Sequence, residues 1–226
     1  MPSVLITGAN RGLGLEFARQ YGAAGWRVHA ACRDPAAARA SAGLSATVSW
    51  HQLDVADDGA IAMLAAELAG APLDLLINNA GINRNTGKFG ASDSASWLET
   101  IRVNTIAPLH VAEGLIGNLL LGQRKLIVHV SSKMASIAEN ASGGDYAYRT
   151  SKAALNMLAK GMANDLRSRG VAVAVISPGW VATDMGGPAA PLQPAQSVAG
   201  MRAVIDRLGL ADSGSFFDWQ GQKLPW

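Results

Sequence analysis

Short apolar runs rich in β-branched residues alternate along this chain with longer segments whose apolar residues recur at helical spacing. The short runs predict six strands, and all but the last precede a helical segment. The runs are SVLITG, WRVHAA, TVSWHQL, LDLLINN, KLIVHVS and VAVAVIS. Two helical segments each place three large apolar residues on one face. These residues are Leu13, Phe17 and Tyr21, and Ile61, Leu64 and Leu68.

This alternation predicts the fold class. Near-continuous apolar strands that alternate with helices are typical of a parallel sheet covered on both faces. Right-handed crossovers then give an α/β, doubly wound (Rossmann) sheet. No linker, charge block or repeat divides residues 1–226, so we expect a single domain. Ligands bind such sheets beyond the carboxyl ends of the strands.

Composition narrows the partners. Apolar residues make up 49% of the chain and charged residues 16%, a balance that favours a globular fold. The formal charge is +2, and Lys and Arg are scattered, so no nucleic acid partner is expected. Cys32 is the single cysteine, no leader pattern opens the sequence, and no apolar run reaches the roughly 18 residues of a membrane span. We therefore expect a cytoplasmic protein without a membrane partner.

A glycine-rich loop, TGANRGLG, lies between the first predicted strand and the first helix. Gly8, Gly12 and Gly14 would let a phosphate approach the backbone N–H groups at the positive end of the helix dipole. Their spacing, G-x-x-x-G-x-G, is not the G-x-G-x-x-G of dinucleotide-binding loops, so a plain turn remains an alternative. The position at the first crossover favours a pyrophosphate site.

The end of the second strand, AACRDP, bears on which dinucleotide binds. An acidic residue there would bind the ribose hydroxyls of NADH, whereas a basic one would suit the 2′-phosphate of NADPH. Cys32 stands about where the acid is expected, Arg33 follows it, and Arg11 projects from the glycine loop. Two guanidinium groups that converge on one pocket suit a phosphate dianion, which favours NADPH. Asp34 leaves an alternative, a surface pair with Arg33.

Tyr148 and Lys152 lie four residues apart in DYAYRTSKAAL, one turn above each other on a predicted helix. A free phenol titrates near pH ~10, and a neighbouring ammonium group lowers its pKa toward neutrality. Such a phenol would protonate a carbonyl oxygen when hydride reaches the carbon. Tyr146 has no lysine one turn on. An ordinary half-buried helix would also carry a tyrosine and a lysine, so the spacing alone does not decide.

Two further residues favour the catalytic interpretation. Ser132, in VHVSSKM, follows the fifth predicted strand at the edge where ligands bind, and its hydroxyl could hold the substrate oxygen. Asn104 is an amide in the middle of a helical stretch, with Pro108 four residues on. From the residues alone, Asn104 is equally well a solvent-facing side chain or the site of a kink.

Together these residues resemble the short-chain dehydrogenase/reductases. The matching motifs run in order: TGANRGLG, LDV at 53–55, NNAG at 78–81, Asn104, VSS at 130–132, Tyr148 with Lys152, and PGWVAT at 178–183. Within that family, PGWVATDMGGPAAPL, SVAGM and FDWQGQKLPW are similar to the C-factor and sniffer-type carbonyl reductases. The last match extends the resemblance almost to Trp226.

The resemblance implies a catalytic tetrad. Tyr148 would act as general acid/base and Ser132 would orient the carbonyl. Lys152 would lower the tyrosine pKa and hold the nicotinamide ribose, and Asn104 would anchor a water in the proton relay. Ser132 rather than Ser131 matches the second serine of the family's pair. The interval from Ser132 to Tyr148 is a few residues longer than is usual in the family.

The resemblance also implies a cofactor site, in which the LDV motif receives the adenine, NNAG lines the floor, and PGWVAT contacts the nicotinamide carboxamide. The implied residues are Gly8, Asn10, Arg11, Gly12, Leu13, Gly14, Arg33, Asp54, Val55, Asn79, Ala80, Gly81, Tyr148, Lys152, Pro178, Val181 and Thr183. Structural roles are open as well: a strand-end cap at Asp54, a hydrogen-bonded bracket at the asparagines, and a turn at Pro178.

The segment after PGWVATDM is short and rich in Pro and Gly, so we expect an open substrate cleft. Its expected walls are Trp180, Met185, Leu192 and the loop INRNTGK at 82–88. No metal is expected, because the four histidines, His29, His51, His110 and His129, are isolated in sequence and lack ligand spacing.

Two functions of different class follow. The first is an NADP(H)-dependent oxidoreductase that reduces a small-molecule ketone, aldehyde or quinone, with Tyr148 as general acid. The second is a dinucleotide-binding signalling or sensor protein of C-factor type, in which turnover is incidental. The resemblance also implies a homodimer or homotetramer paired through the long helices around residues 95–120 and 146–168, although burial against the sheet explains their apolar content equally well.

Overall fold

The structure, a computed structural model, describes residues 1–44, 47–84 and 87–226. Its strands are β1 (Ser3–Thr7), β2 (Arg27–Cys32), β3 (Val48–Gln52), β4 (Leu75–Asn78), β5 (Leu126–Val130), β6 (Ala172–Ser177) and β7 (Phe216–Asp218). They form one parallel sheet in the order β3-β2-β1-β4-β5-β6-β7. The six predicted strands are confirmed to within two residues at each end. The seventh was missed, since three residues are too short to show a period.

Helices follow the strands and cover both faces of the sheet. They are α1 (Gly12–Ala23), α2 (Pro35–Ala42), α3 (Asp58–Glu67), α4 (Ser94–Ile101), α5 (Ala107–Leu121), α6 (Tyr146–Leu166) and α7 (Pro194–Arg207). A π-helical turn, Arg102–Ile106, joins α4 to α5. The sequence pattern predicted no helix after β6. In the structure, α7 follows β6 after a long loop and leads to β7.

The core lies on both faces of the sheet, as the doubly wound fold requires. Along β1, Val4 and Ile6 pack with Phe17 of α1 and Met201 of α7, whereas Leu5 packs on the opposite face. That opposite face is covered by apolar residues of α3, α5 and α6. Both predicted helical faces are buried as expected. The α/β, doubly wound fold class is therefore confirmed.

The sheet topology places a ligand cleft. The chain runs outward from β1 through β2 to β3, then returns to add β4 on the other side of β1. The order of strands thus reverses between β1 and β4. In open parallel sheets, ligands bind outside the carboxyl ends of the strands at such a point. The glycine loop and the NNAG segment both lie there.

Two of the histidines lie in contact in the fold. His29 Nδ1 lies 3.0 Å from His51 Nε2, and His51 Nδ1 lies 2.9 Å from Glu67 Oε1. This pair is separated in sequence but meets in the fold, because the neighbouring strands β2 and β3 bring residues 22 apart into contact. Within the described ranges, no group of three His, Cys, Asp or Glu residues is arranged to hold a metal ion. None of the described helices is long and apolar enough to cross a membrane.

Candidate active site

The backbone of the glycine loop forms a concave surface, the glycine cradle, that residues with a side chain could not form. Gly8 and Gly12 have φ values of 66° and 53°, in the region that favours glycine. A Cβ on Gly14 would lie 2.2 Å from the carbonyl oxygen of Gly8, and one on Gly8 would lie 3.0 Å from Ala80 Cα. Backbone can thus approach a ligand closely at the start of α1. These features fit a dinucleotide pyrophosphate at the helix N-terminus.

The NNAG segment is tied to the end of β1. The Thr7 hydroxyl accepts hydrogen bonds from the backbone N–H groups of Asn79 and Ala80, both at 3.0 Å. The Asn79 side chain donates to the carbonyl of Thr7 at 2.9 Å. Asn78 donates to the carbonyl of Pro108 at 3.1 Å. The asparagines therefore do form the hydrogen-bonded bracket expected as their structural role, and the bracket sets the position of the cleft floor.

The residues expected at the adenine lie at the end of β3. Asp54 is exposed, and its carboxylate accepts a hydrogen bond from the N–H of Ala56 at 3.0 Å, the contact of a strand-end cap. Beside Val55 a groove of about 240 Å³ opens between the start of α3 and the π-helical turn. Its far side is formed by Ile106 and His110. An apolar side chain at the edge of an open groove is compatible with the expected adenine contact.

The arginines expected at the 2′-phosphate are both exposed, but their partners differ from expectation. Arg11 Nη1 lies 2.6 Å from Asp184 Oδ2, in the loop after β6. Asp34 accepts a hydrogen bond from Ala37 N at 3.0 Å and caps α2 instead of pairing with Arg33. Arg33 forms no ion pair within the described part of the chain. Arg11 thus pairs with the loop after β6, and its convergence with Arg33 stays a prediction.

Asn104 lies in the π-helical turn, fully buried. Pro108 has no N–H with which to bond the Asn104 carbonyl four residues earlier, and the helix widens at this point. The amide of Asn104 accepts a hydrogen bond from Ile82 N and donates to Ile82 O, both at 2.8 Å, and donates to Ser151 Oγ at 3.0 Å. The solvent-facing alternative for Asn104 is therefore wrong, and a π-helical turn interrupts the helix at this residue.

The end of β5 meets one face of α6 at the same edge of the sheet. Lys152 is buried and donates from Nζ to the carbonyl of Val130 at 2.9 Å. Tyr148 is also buried, and Ser132 is close enough to lower the pKa of its phenol. A Cβ on Gly81 would lie 3.5 Å from Lys152 Nζ, so the lysine reaches the NNAG segment. Ser132, Tyr148 and Lys152 are thus brought together beside the cleft floor.

The pKa of Tyr148 moves opposite to the expected direction. Burial raises its pKa above the usual 10.0, the hydrogen bond from Ser132 opposes this rise, and the charge of Asp145 adds to it. Lys152 is not among the causes, and burial lowers the pKa of its own ammonium group to about 8. In the protein without bound cofactor, Lys152 therefore does not lower the pKa of Tyr148 as expected. Burial keeps the phenol protonated at neutral pH.

The two serines and the two tyrosines separate clearly. Ser131 is buried and donates to Asn156 Oδ1 at 2.8 Å, so it points away from the cleft. Ser132 is half-buried and contacts Tyr148. Tyr146 is the first residue of α6, two residues before Tyr148, and so points in a different direction from the helix axis. The sequence did not single out Asn156, although its position four residues after Lys152 was a signal.

The loop after β6 borders the cleft opposite the glycine loop. A Cβ on Gly12 would lie 3.5 Å from Thr183 Cγ2, so the two loops touch. Trp180 and Met185 are 59% and 49% exposed, as expected for cleft walls. Leu192 is buried and pairs with Val181 beneath the loop, so it supports the loop rather than forming an exposed wall.

The remaining expected cofactor residues and the substrate-side loop surround this cleft. Asn10 is exposed in the glycine loop, Leu13 packs against the core, and Pro178 is half-buried after β6. Of the loop expected at 82–88, residues 85 and 86 lie outside the described residues. Arg84 forms two hydrogen bonds with Glu99 of α4, at 3.1 and 2.9 Å, which tie the first part of this loop to the helix.

This arrangement of cleft, glycine cradle and Ser–Tyr–Lys cluster is that of a dinucleotide-dependent oxidoreductase. The chain belongs to the short-chain dehydrogenase family, whose model matches residues 2–193. It is accordingly an NAD(P)-dependent oxidoreductase. A bound nicotinamide dinucleotide supplies the hydride in this class of enzyme.

Three known proteins illustrate the likeness. C-signal of Myxococcus xanthus is 45% identical over 162 residues, which cover 72% of this chain and 98% of that protein. The carbonyl reductase Sniffer of D. melanogaster superposes with a TM-score of 0.93 at 32% identity and 100% coverage of both chains. The NADPH-bound carbonyl reductase from chicken fatty liver gives a TM-score of 0.92 at 34% identity, covering 100% of this chain and 99% of the other.

Proposed function

We propose that this chain is an NADPH-dependent carbonyl reductase that converts a small ketone, aldehyde or quinone to an alcohol. The observation that carries the proposal is the cluster of the buried Tyr148 and Lys152 with the half-buried Ser132 at the carboxyl edge of the sheet, beside the glycine cradle. A pure binding protein would need neither the serine nor the tyrosine. The cleft walls Trp180 and Met185 offer an apolar surface to the substrate.

Tyr148 acts as the general acid. Its pKa lies above the usual 10.0, so the phenol holds its proton at neutral pH. It can give that proton to the carbonyl oxygen, which becomes negatively charged as hydride reaches the carbon. Ser132 is close enough to the phenol to lower its pKa, and its hydroxyl can orient the same carbonyl oxygen. The two groups together bind the oxygen more tightly in the transition state than in the ground state.

Lys152 returns a proton to Tyr148 after turnover, and Asn104 anchors a water in this proton relay. Lys152 has a pKa of about 8, close enough to neutrality for its ammonium group to give up a proton and regain it. Asn104 Oδ1 would lie 3.2 Å from a Cβ on Gly81, next to the position that Lys152 Nζ reaches. The amide and the lysine therefore border the same space, which continues toward the backbone of Ile82.

The preference for NADPH rests on charge at the end of β2. Arg33 is exposed and forms no ion pair within the described ranges, and no carboxylate stands at the position of Cys32. Within the described residues, the Arg11 side chain forms one ion pair, with Asp184, and it is exposed. A phosphate dianion can replace the Asp184 carboxylate in such a pair. The NADPH named with the chicken liver reductase accords with this preference.

The likeness to C-signal favours a second candidate, a signalling protein that binds a dinucleotide and in which turnover is incidental. The two candidates differ in what they require of Tyr148. A reductase loses its catalytic activity when the phenol hydroxyl is removed. A signalling activity that depends only on the bound cofactor and the protein surface survives that removal. A biological effect that survives Tyr148→Phe would therefore support the second candidate.

The test is NADPH oxidation against a panel of quinones, diketones and aldehydes. Wild type is compared with Tyr148→Phe and with Tyr146→Phe, a matched loss of hydroxyl two residues away. We expect turnover in wild type and in Tyr146→Phe, none in Tyr148→Phe, and NADPH binding in all three by fluorescence titration. Absence of wild-type turnover across the panel, with NADPH still bound, would reject the reductase in favour of the signalling candidate.

The proposal extends to assembly and location. Leu98, Ile106, Leu121 and Met157 are exposed on α4, the π-helical turn, α5 and α6, and they offer apolar surface for a homodimer or homotetramer. Light scattering after size exclusion would measure the number of subunits.

The single cysteine, Cys32, is buried, which suits the reducing cytoplasm.

A further inference from the structure

Helix α6 and the end of β5 are joined by a stripe of three side chains on one helical face. Tyr148, Lys152 and Asn156 follow each other at intervals of four residues, so they lie one turn above another. The first contacts Ser132, and the second donates to the carbonyl of Val130. The stripe therefore ties the helix with the proposed acid to the strand end with the proposed carbonyl-binding serine.

The third contact has no place in the proposed chemistry. Ser131 Oγ donates to Asn156 Oδ1 at 2.8 Å. Ser131 is 2% exposed and Asn156 is 4% exposed, so neither side chain is placed to touch a substrate in the cleft. A hydrogen bond shielded from water in this way holds its geometry more firmly than one that competes with solvent.

We infer that Ser131 and Asn156 are positioning residues that set the alignment of Ser132 with Tyr148. The inference rests on the proposed reductase function. Ser131 and Ser132 are joined by one peptide, whose Cα atoms are about 3.8 Å apart, so a shift of Ser131 against α6 also shifts Ser132. The backbone of Ser131 is fixed on its other side, where its N–H donates to the carbonyl of Ile176 at 2.8 Å.

The cost of losing this alignment falls on the chemical step. A misplacement of about 1 Å between reacting groups can cost as much as a hundredfold in rate. Substrate and cofactor would still bind, because neither Ser131 nor Asn156 lines the cleft. The expected signature is a loss in kcat with KM nearly unchanged.

A second signature comes from the phenol itself. The hydrogen bond of Ser132 opposes the rise in the Tyr148 pKa that burial causes. If the Ser132 hydroxyl moves away from the phenol, it lowers the Tyr148 pKa less, and that pKa rises further. In the direction of alcohol oxidation Tyr148 must accept a proton, so the rise in kcat with pH would move to higher pH. A contact that only stabilised the fold would leave this profile in place.

The test compares Ser131→Ala, Asn156→Ala and the double variant with wild type. Asn118→Ala is the matched control, since Asn118 is a buried asparagine on α5 that donates to two backbone carbonyls at the opposite edge of the sheet. We expect each single variant to lose about tenfold in kcat with KM changed by less than about twofold. The double variant should lose no more than either single variant, because both remove one bond. Asn118→Ala should lower the unfolding temperature while kcat and its pH profile stay at wild-type values.

Ser131→Ala carries the test by itself if Asn156→Ala fails to fold, because it removes a single oxygen atom. A kcat for Ser131→Ala within about twofold of wild type would overturn the inference, whatever the change in stability. The chemical shift of labelled tyrosine Cζ, assigned with Tyr148→Phe, reports the phenol hydrogen bond without any turnover. An unchanged Tyr148 signal in Ser131→Ala would also overturn the inference, and a shifted signal would support it even if no carbonyl on the panel is reduced and the proposed function fails.

Discussion

Arg11 and Asp184 form an ion pair of 2.6 Å across the opening between the glycine loop and the loop after β6. The two residues are 173 positions apart in sequence, and both side chains are largely exposed. The backbones of these loops are also close, since a Cβ on Gly12 would contact Thr183. In the absence of cofactor, the Arg11 guanidinium group proposed to bind the 2′-phosphate is therefore already paired with a carboxylate, and the phosphate must compete with that carboxylate.

Replacing Asp184 by Asn should strengthen NADPH binding. The neutral amide competes less for Arg11, and an exposed ion pair contributes up to about 1 kcal/mol, so we expect a two- to fivefold lower Kd at low salt. Affinity for NADH should change less. Fluorescence titration of both cofactors measures the effect, with Asp165→Asn, an exposed acid on α6, as the matched control. Weaker NADPH binding in Asp184→Asn would mean that the carboxylate helps the cofactor instead of competing with it.

Replacing Arg33 by Ala should weaken NADPH much more than NADH. Arg33 is exposed at the end of β2, and a guanidinium group there recognises a phosphate dianion but not a ribose hydroxyl. We expect about a tenfold loss in kcat/KM for NADPH and about twofold for NADH. Arg39→Ala, on the exposed side of α2, controls for the loss of positive charge. Equal losses for the two cofactors would contradict the assignment of Arg33 to the 2′-phosphate.

Much of this fold could be predicted from the sequence because parallel strands buried on both faces leave a strong apolar signal. The runs that became β1, β2, β4, β5 and β6 carry it, whereas β3 lies at the edge of the sheet and is only partly buried. The glycine loop and NNAG fall at the predicted edge. Strand β7 carries no such signal in its three residues, and its place beside β6 depends on the long loop and α7. Periodicity describes one element at a time, so it does not reveal which element returns to complete the sheet.

The candidate site divides in the same way. Tyr148 and Lys152 could be found because a helix fixes the relation between positions four apart. The partner of Arg11 could not be found, since Asp184 lies in a distant loop and meets it only in the folded chain. The direction of the Tyr148 pKa shift was also beyond the sequence. It depends on how deeply the phenol is buried, and burial is the largest cause of the shift.

Acid should destabilise the fold through His29. Burial and the neighbouring His51 lower the pKa of His29 from 6.5 to about 4. Between these values the unfolded chain binds a proton that the folded chain does not, so stability is complete above about pH 6.5 and is lost as the pH falls toward 4. We expect the His29 contribution at pH 5 to be about 1–2 kcal/mol lower than at pH 8.

Urea unfolding at pH 5 and pH 8 measures this loss in wild type, in His29→Gln and in His110→Gln. His110 is more exposed and serves as the control. The His29 variant should show a smaller difference between the two pH values than wild type, and the His110 variant the same difference as wild type. An unchanged pH dependence in His29→Gln would show that another group, such as the buried His129, accounts for the acid sensitivity.

Replacing Lys152 by Met should stabilise the fold while it abolishes turnover. Burial lowers the pKa of Lys152 from 10.5 to about 8, so at neutral pH the folded chain holds a charge that burial disfavours. In wild type this deficit shrinks as the pH rises from 8 toward 10.5, because the folded chain releases the proton before the unfolded chain does. Methionine removes the buried charge at similar volume and loses only the hydrogen bond to Val130, so we expect a net gain of about 1–2 kcal/mol at pH 7. Urea unfolding and NADPH oxidation are measured together, with the exposed Lys88→Met as control. A Lys152→Met variant less stable than wild type would mean that the contacts of the lysine stabilise the fold by more than its burial destabilises it. Stability would then not have been lost at this site in favour of catalysis.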